Sequence, residues 1–505
     1  MRLRPILLLT ASAAAGAAAP PLAAQGPRPS DLRALDAYVA RAVRDWQVPG
    51  LAIAVVHGDS VVFARGYGVR TLGTTDPVTA HTLFANASTT KAFTALGVAL
   101  MVDAGKLAFD DPVTQHLPEF TLRDPFVTRE ITLRDLLSHK VGFGDPDYLW
   151  YGVDDDYATI VRRLRFVHPE SSFRSRYAYN NVTYATAGVI AGKAYGRGWD
   201  ALIRERILEP LGMRETVTEG HDLGDRADVA SPHDVVRDTL RAIPDVGRLV
   251  DPIAPAGAMY SSALDMARWI RFLLDDGRVD DSALVKPETL AELFRPQTII
   301  STAAFYPTAT RTLPRFTAYG MGWFLQDYRG AFVAFHTGSI DGTVAIVGLL
   351  PERKVGVVVF ANRDHAELRH ALMLRVFDLY LGGPRRDWSA DLKGMYDSLD
   401  AQALARRAAV DAGRVPDTRP SLALERYAGT YGDSARGTVT ITLDGDHLVF
   451  ARSPFLTADL AHWHFDTFAL SWRNAWLGRT LVTFRLAADG TVEGLDWEGV
   501  ELKRK

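Results

Sequence analysis

The chain has no cysteine, so neither a disulfide nor a lipid-modified N-terminal cysteine can form, and stability has to come from the core. No Lys/Arg-rich run occurs and the formal net charge is only −3, so the basic field that would hold nucleic acid or an anionic bilayer is missing; nucleic-acid binding is set aside. Also missing are a Gly-X-Ser-X-Gly elbow, a His-Glu-X-X-His helix and a phosphate-binding glycine loop. No cofactor is expected. There is no internal repeat.

What is present is an ordinary globular composition, 47% hydrophobic and 23% charged, over 505 residues, too long for one core and calling for two or more domains. The first residues carry Arg2 and Arg4, then Ile6 to Leu9, then an alanine-rich run ending in "PLAAQ". This layout predicts an export signal over residues 1–24, cleaved after Ala24, although Leu22 is not the small residue usually preferred at the −3 position. A membrane anchor would need about 20 strongly apolar residues. This run is shorter, weakly apolar and broken by Pro20 and Pro21. The mature protein is therefore expected to be periplasmic or secreted, with no membrane span.

Helical patterning opens the mature chain at "LRALDAYVARAVRDW". Two apolar runs around Gly58-Asp59 then read as a β-hairpin. From Phe84 to about residue 300 the pattern is mostly helical, with Pro/Gly/Asp loops between. Three β-rich runs return between Gly330 and Asn362, and "HALMLRVFDLYLGG" closes as a helix. Strands at both ends with helices between predict an α/β (α+β) domain over 25–383: one antiparallel sheet built from the two ends, flanked by helices, beside an α-rich subdomain. Residues 384–420 are charged and alanine-rich and read as a linker containing a helix. Short alternating strands with Gly/Asp turns over 421–505 read as a small all-β domain, sandwich- or barrel-like.

Three short patterns carry chemistry. In "STTK", a helix beginning at Ser88 would put Lys91 on the same face, within side-chain reach. Burial would lower the pKa of that lysine, and the helix N-terminus would stabilise charge on the serine oxygen. The same serine also suits a plain N-cap, and one Ser-X-X-Lys is expected by chance in a chain of this length. In "YAYNNVTY", Tyr179 and Asn181 precede a helical run; a tyrosine near a lysine can relay a proton and an asparagine amide can hold a carbonyl, though a buried tyrosine with a capping asparagine fits as well. In "FHTGSIDG", His336, Thr337 and Gly338 interrupt a strand. Gly338 would let a substrate backbone approach, His336 offers a donor, and the Ser339 main-chain N–H could join that of Ser88 as an oxyanion hole.

Together, in this order, the three patterns resemble those of the penicillin-recognising serine hydrolases: the group of class C β-lactamases, D-peptidases and β-lactamase-like esterases. "VPGLAIAVVHGDSVVFARGYG", "ITLRDLLSHKVGF", "PLGMRET", "GAMYSSALDMARWI" and "YGMGW" are similar to segments of that family in the same order, so the likeness spans roughly Leu32 to Leu381. The C-terminal module is similar to a small β domain that some of these secreted hydrolases carry. The resemblance implies that Ser88 forms an acyl-enzyme and that Lys91 and Tyr179 move the proton. It further implies that Asn181, His336, Thr337, Gly338 and Ser339 bind substrate, with the Ser88 and Ser339 N–H groups on the oxyanion. The substrate would be a small molecule or peptide: an ester, a D-amino-acid amide or a β-lactam. The cell wall is a candidate partner. Many β-lactamases have lysine where His336 stands; a histidine of ordinary pKa is mostly neutral at pH 7 and favours substrates without the antibiotic's carboxylate. A non-catalytic cell-wall-binding or sensor protein using the same cleft is the alternative. "SHKVG", Lys140 to Gly142, holds a Lys-X-Gly in the wrong order and is taken as structural. His462, His464 and Asp466, on one face of a predicted strand, are read as half-exposed polar groups, with no metal assigned.

Overall fold

The computed structural model describes residues 28–144, 146–280, 282–382 and 386–505; the expected export signal, 1–24, lies outside them. Helix α1 (Pro29–Asp45) has proline in its first turn, where a missing N–H costs nothing, and Asp31 reaches back to the Arg28 N–H. The hairpin expected at Gly58-Asp59 forms from β1 (Gly50–His57) and β2 (Ser60–Gly68), and Gly58 supplies the left-handed turn residue at φ +63°.

Six more strands come from much later in the chain: β3 (Thr298–Ile299), β4 (Thr317–Tyr319), β5 (Phe324–Tyr328), β6 (Ala331–Ile340), β7 (Thr343–Leu350) and β8 (Val355–Ala361). They complete an antiparallel sheet in the order β2-β1-β8-β7-β6-β5-β4-β3. The two ends of the domain meet where β1 pairs with β8, Leu51 opposite Ala361. Both faces of this sheet are covered, which is why β1, β7 and β8 read as unbroken apolar runs rather than alternating ones. Leu51, Ile53, Val55, Val357 and Val359 pack under α1 and α5 (Leu368–Leu381). Ala52, Ala54, Val358 and Phe360 face the other side, where α4 (Ala263–Leu274) lies on β1 and β8.

Beyond α4 the helical subdomain is centred on α2 (Thr90–Asp103) and α3 (Asn181–Tyr195), which pack on each other. Both are apolar all round, and α2 is buried from Thr90 through Met101, as a helix in the middle of a core must be. The stretch expected to be mostly helical also contains a hairpin, His233–Val236 with Thr239–Ala242. Arg237 and Asp238 at its tip both have positive φ, the turn that matches strand twist, in residues that give little warning of it.

Within 384–420, helix α6 (Trp388–Ala412) does more than link. Its first turn belongs to the core under α1 and α5: Trp388 donates to Asp378 at 2.8 Å and Ser389 accepts from the Trp46 indole at 3.0 Å. Beyond Leu392 it is largely exposed. The chain ends in a closed eight-stranded antiparallel barrel, from Gly429–Asp433 to Val500–Arg504, sealed where Tyr431 pairs with Arg504. Buried Tyr431, Phe450, Phe468, Phe484 and Trp497 fill its interior, as expected for so small a barrel. Among the described residues no helix is long and apolar enough to cross a membrane.

Candidate active site

Phe84–Ala85, paired with Tyr260–Ser261, leads into a single 3₁₀ turn, Ala87–Thr89, that runs directly into α2. Ser88 lies inside that turn, with Lys91 as the second residue of α2, so Ser88 is not the cap of the α-helix. Ala87, just before it, has φ +45°; a left-handed non-glycine residue costs of order 1–3 kcal/mol and persists only where the surroundings fix it.

Two donors converge on Ser88. Lys91 Nζ lies 3.0 Å and the Tyr179 hydroxyl 2.8 Å from Ser88 Oγ. Lys91 is fully buried, yet it also donates to Asn181 Oδ1 at 2.7 Å and to the Ala256 carbonyl at 2.8 Å. All three of these partners are neutral. The ammonium sits 4.8 Å from the Tyr179 ring centroid and 5.6 Å from that of Tyr184. Asn181 opens α3, whose cap is the preceding Asn180, bonded to the Thr183 N–H. Asn181 Nδ2 in turn donates to Asp147 at 3.0 Å.

The His-Thr-Gly triplet lies on β6, which crosses the Ser88 turn. A Cβ on Gly338 would stand 2.1 Å from the Asn86 carbonyl oxygen and 3.0 Å from the Ser88 nitrogen, so only glycine lets the strand come this close. Ser339, the next residue of the strand, lines the same spaces as Ser88. Strand β5 pairs with β6 only as far as Phe335, and among the described residues no strand pairs with the edge of β6 beyond it on that side. Thr337 meets the Tyr306 hydroxyl, while Arg369 reaches the Gly338 carbonyl and, at 2.9 Å, Ser339 Oγ. His336 is buried; its Nε2 is 2.9 Å from the Tyr319 hydroxyl and its Nδ1 is 2.6 Å from the Thr337 carbonyl. Burial, with the Lys91 charge nearby, pushes the His336 imidazole down to about 3, further toward the neutral form than an ordinary histidine.

All the sequence-predicted residues except Lys91 and Gly338 line two adjoining spaces. A cleft of about 420 Å³ is bounded by Ser88, Tyr179, His336 and Thr337 with an aromatic wall of Tyr177, Phe305, Tyr306 and Phe324. A smaller space of about 80 Å³ shares Ser88, Asn181 and Ser339 with the cleft and is walled by Trp150, Val250, Ile253 and Ile340. Lys91 lies beneath them, and Gly338 is where β6 rests on the Ser88 turn.

Several participants escaped the sequence reading. His139, within the very "SHKVG" taken as structural, packs its ring against that of Tyr179, tilted, with centroids 4.4 Å apart, and accepts the Asn180 N–H at 3.1 Å; burial holds it well below the usual histidine range. Asp147, Tyr306 and Tyr319 each hold one candidate residue from a different segment, and no spacing rule links them. Lys140 itself lines neither space. His462 and His464 are separated by a bulge and turn to different partners, the Phe465 carbonyl and the Val415 N–H, while Asp466 accepts from Ser421 and Tyr427. The bulge breaks the alternation that predicted one shared face.

The family model described as Beta-lactamase matches residues 35–379, and one described as a domain of unknown function, DUF3471, matches 413–505. The chain is 29% identical over 485 residues to an unguisins hydrolase of Aspergillus campestris, covering 90% of this chain and 87% of that protein. It is 30% identical over 448 residues to an unguisins hydrolase of Aspergillus violaceofuscus, covering 80% and 76%. Its fold is similar to that of the octameric penicillin-binding protein homologue from Pyrococcus abyssi, with a TM-score of 0.62 at 22% identity over 94% of this chain and 99% of that one.

Proposed function

The chain belongs to the β-lactamase family, and from that premise we propose that it is an exported serine hydrolase that acylates Ser88, acting on esters or D-amino-acid peptide bonds in preference to carboxylate-bearing β-lactams. One observation carries this reading: Ser88 Oγ is the common acceptor of Lys91 Nζ and the Tyr179 hydroxyl. With Lys91 as the neutral amine, or with Tyr179 as the phenolate beside the Lys91 ammonium, the pair takes the proton of Ser88 Oγ as the oxygen attacks a carbonyl carbon, and returns it to the leaving group as the tetrahedral intermediate collapses. The N–H groups of Ser88 and Ser339 receive the oxyanion. A water molecule, deprotonated by the same pair, then attacks the acyl carbon and releases Ser88.

The substrate backbone adds along the free edge of β6 from His336 onward, as an antiparallel strand with its acyl side toward Ile340 and its leaving side toward His336. Asn181 holds the acyl side chain's polar groups. On the leaving side the neutral His336 and the aromatic wall offer no fixed cation for a carboxylate, which favours neutral esters and internal amide bonds. The relatives named as unguisins hydrolases support a hydrolytic role.

A turnover panel tests the reading: short-chain aryl esters, D-amino-acid amides and a chromogenic cephalosporin, each with Ser88→Ala alongside. Ser88-dependent turnover of esters or amides, well above that of the cephalosporin, is expected. Turnover retained in Ser88→Ala, or confined to the cephalosporin, contradicts it.

A further inference from the structure

The residues lining both spaces around Ser88 come from before residue 341, yet two elements of that lining are gripped from outside by the C-terminal barrel. The first is the loop 147–153. It contributes Asp147, which holds Asn181, and Trp150, which walls the smaller space and donates its indole N–H to Asp147 at 2.6 Å. Inward, Leu149 and Trp150 are buried in the helical core. Outward, the loop meets barrel residues: Arg452 donates to the Tyr148 carbonyl, Ser453 to the Gly152 carbonyl, and the Arg436 guanidinium lies 3.9 Å over the Tyr148 ring. Gly152 has φ +66°, and a Cβ there would meet Phe455 at 2.6 Å and Leu456 at 2.9 Å, so the close fit to the barrel requires the glycine.

The second element is the turn after β6. Asp341, two residues beyond Ser339, accepts the Trp476 indole N–H at 2.8 Å and the Tyr151 hydroxyl on the same carboxylate oxygen. Phe455 stacks edge-on to Tyr151 at 5.8 Å and contacts Trp476 at 6.2 Å. One carboxylate therefore ties together the barrel, the loop and the end of the strand that carries the Ser339 N–H. The path continues through Asp147, Asn181 and Lys91 to Ser88.

We propose that the barrel is a positioning element of the active site: Phe455 and Trp476 fix the loop 147–153 and the Asp341 turn, and thereby the placement of Asn181 and the Ser339 N–H against Ser88. This rests on the serine-hydrolase reading above. Neither barrel residue touches substrate in this account. Their loss lowers the rate because an oxyanion donor or a substrate-holding amide displaced by a fraction of an ångström stabilises the transition state less well.

The test uses the full chain and an aryl ester. In the double variant Phe455→Ala/Trp476→Phe, kcat is expected to fall about tenfold or more while KM stays within about twofold, the signature of an interaction made in the transition state. Adding Trp476→Phe to Asp341→Ala is expected to lower kcat no further, because both remove the same link. Arg485→Gln, which removes exposed ion pairs to Glu493 and Glu501 within the barrel and takes part in none of these contacts, serves as the control and leaves kcat unchanged. A kcat within about twofold of the parent in the folded double variant overturns the proposal, whatever happens to its thermal stability. Should the double variant not fold, Trp476→Phe alone decides on the same grounds, with a loss of about threefold or more expected. Ser88→Ala, run in parallel, reports on the hydrolase reading separately: its failure would show as retained turnover, not as a change in the barrel variants.

Discussion

Lys91 and Tyr179 donate to one atom, Ser88 Oγ, at 3.0 and 2.8 Å, and the lysine ammonium lies 4.8 Å from the centre of the tyrosine ring. The two groups can exchange a proton with the serine without moving. Tyr179→Phe removes one donor while keeping the ring that His139 packs against. It is expected to lower kcat by about 10²–10⁴, the usual range for losing a positioned acid or base, with little change in thermal stability. Steady-state kinetics beside a melting curve measure both. Lys91→Met is expected to abolish turnover, and to destabilise the fold as well by removing the buried hydrogen bonds from Lys91 to Asn181 Oδ1 and the Ala256 carbonyl, at about 1–3 kcal/mol in all.

Gly338→Ala puts a methyl group 2.1 Å from the Asn86 carbonyl oxygen, which is main chain and cannot rotate away. The strand must lift off the Ser88 turn, separating the two N–H groups assigned to the oxyanion. Stability is expected to fall by about 1–3 kcal/mol, as for other overpacked sites. The expected fall in kcat is about 10²-fold or more. Chemical denaturation and ester kinetics on the same preparation check whether the two losses occur together.

His336 gives a pH dependence with a definite sign. Its folded-state pKa, about 3, lies below the unfolded value of about 6.5, so between these limits the unfolded chain binds the proton and the folded chain does not. Stability from this group is complete above about pH 6.5 and is lost as pH falls toward 3; buried His139 and His370 act in the same direction. His336→Gln is therefore expected to flatten the acid limb of the stability curve, measured by denaturant unfolding from pH 4 to 7 in steps. His336→Lys is expected to raise the turnover of a carboxylate-bearing substrate relative to a neutral ester by about tenfold, the effect of ~1.4 kcal/mol. No rise in that ratio would mean that the triplet's first position does not face the leaving side.

The export expectation is checked by mass. If the signal over 1–24 is cleaved after Ala24, protein recovered from outside the cytoplasm of an expressing bacterium has an intact mass that begins at Gln25. A mass that includes Met1 contradicts that expectation.

Much of this was legible in the sequence because it is local. Ser88 and Lys91 are three residues apart, Tyr179 and Asn181 two, and the triplet is contiguous, so each pattern survives in one line of text. The two-ended sheet was legible from apolar runs near Gly50 and after Gly330. His139, Asp147, Tyr306 and Tyr319 were not, since each acts on a candidate residue from another segment and has no periodic signature. The reading of Ser88 as either helix cap or nucleophile missed a third geometry, the 3₁₀ turn held by a left-handed Ala87, because φ at an alanine leaves no trace in composition. Barrel and sandwich could not be told apart either: the difference is a single pairing between the first and last strands, Tyr431 with Arg504, some seventy residues apart.

The central claim is that Ser88 is the atom acylated. Labelling the protein with a serine-reactive fluorophosphonate, then measuring intact mass and mapping the modified peptide, tests it most directly. The account predicts one label per chain, on Ser88, and none on Ser88→Ala. A label on another residue, or equal labelling of Ser88→Ala, would contradict it.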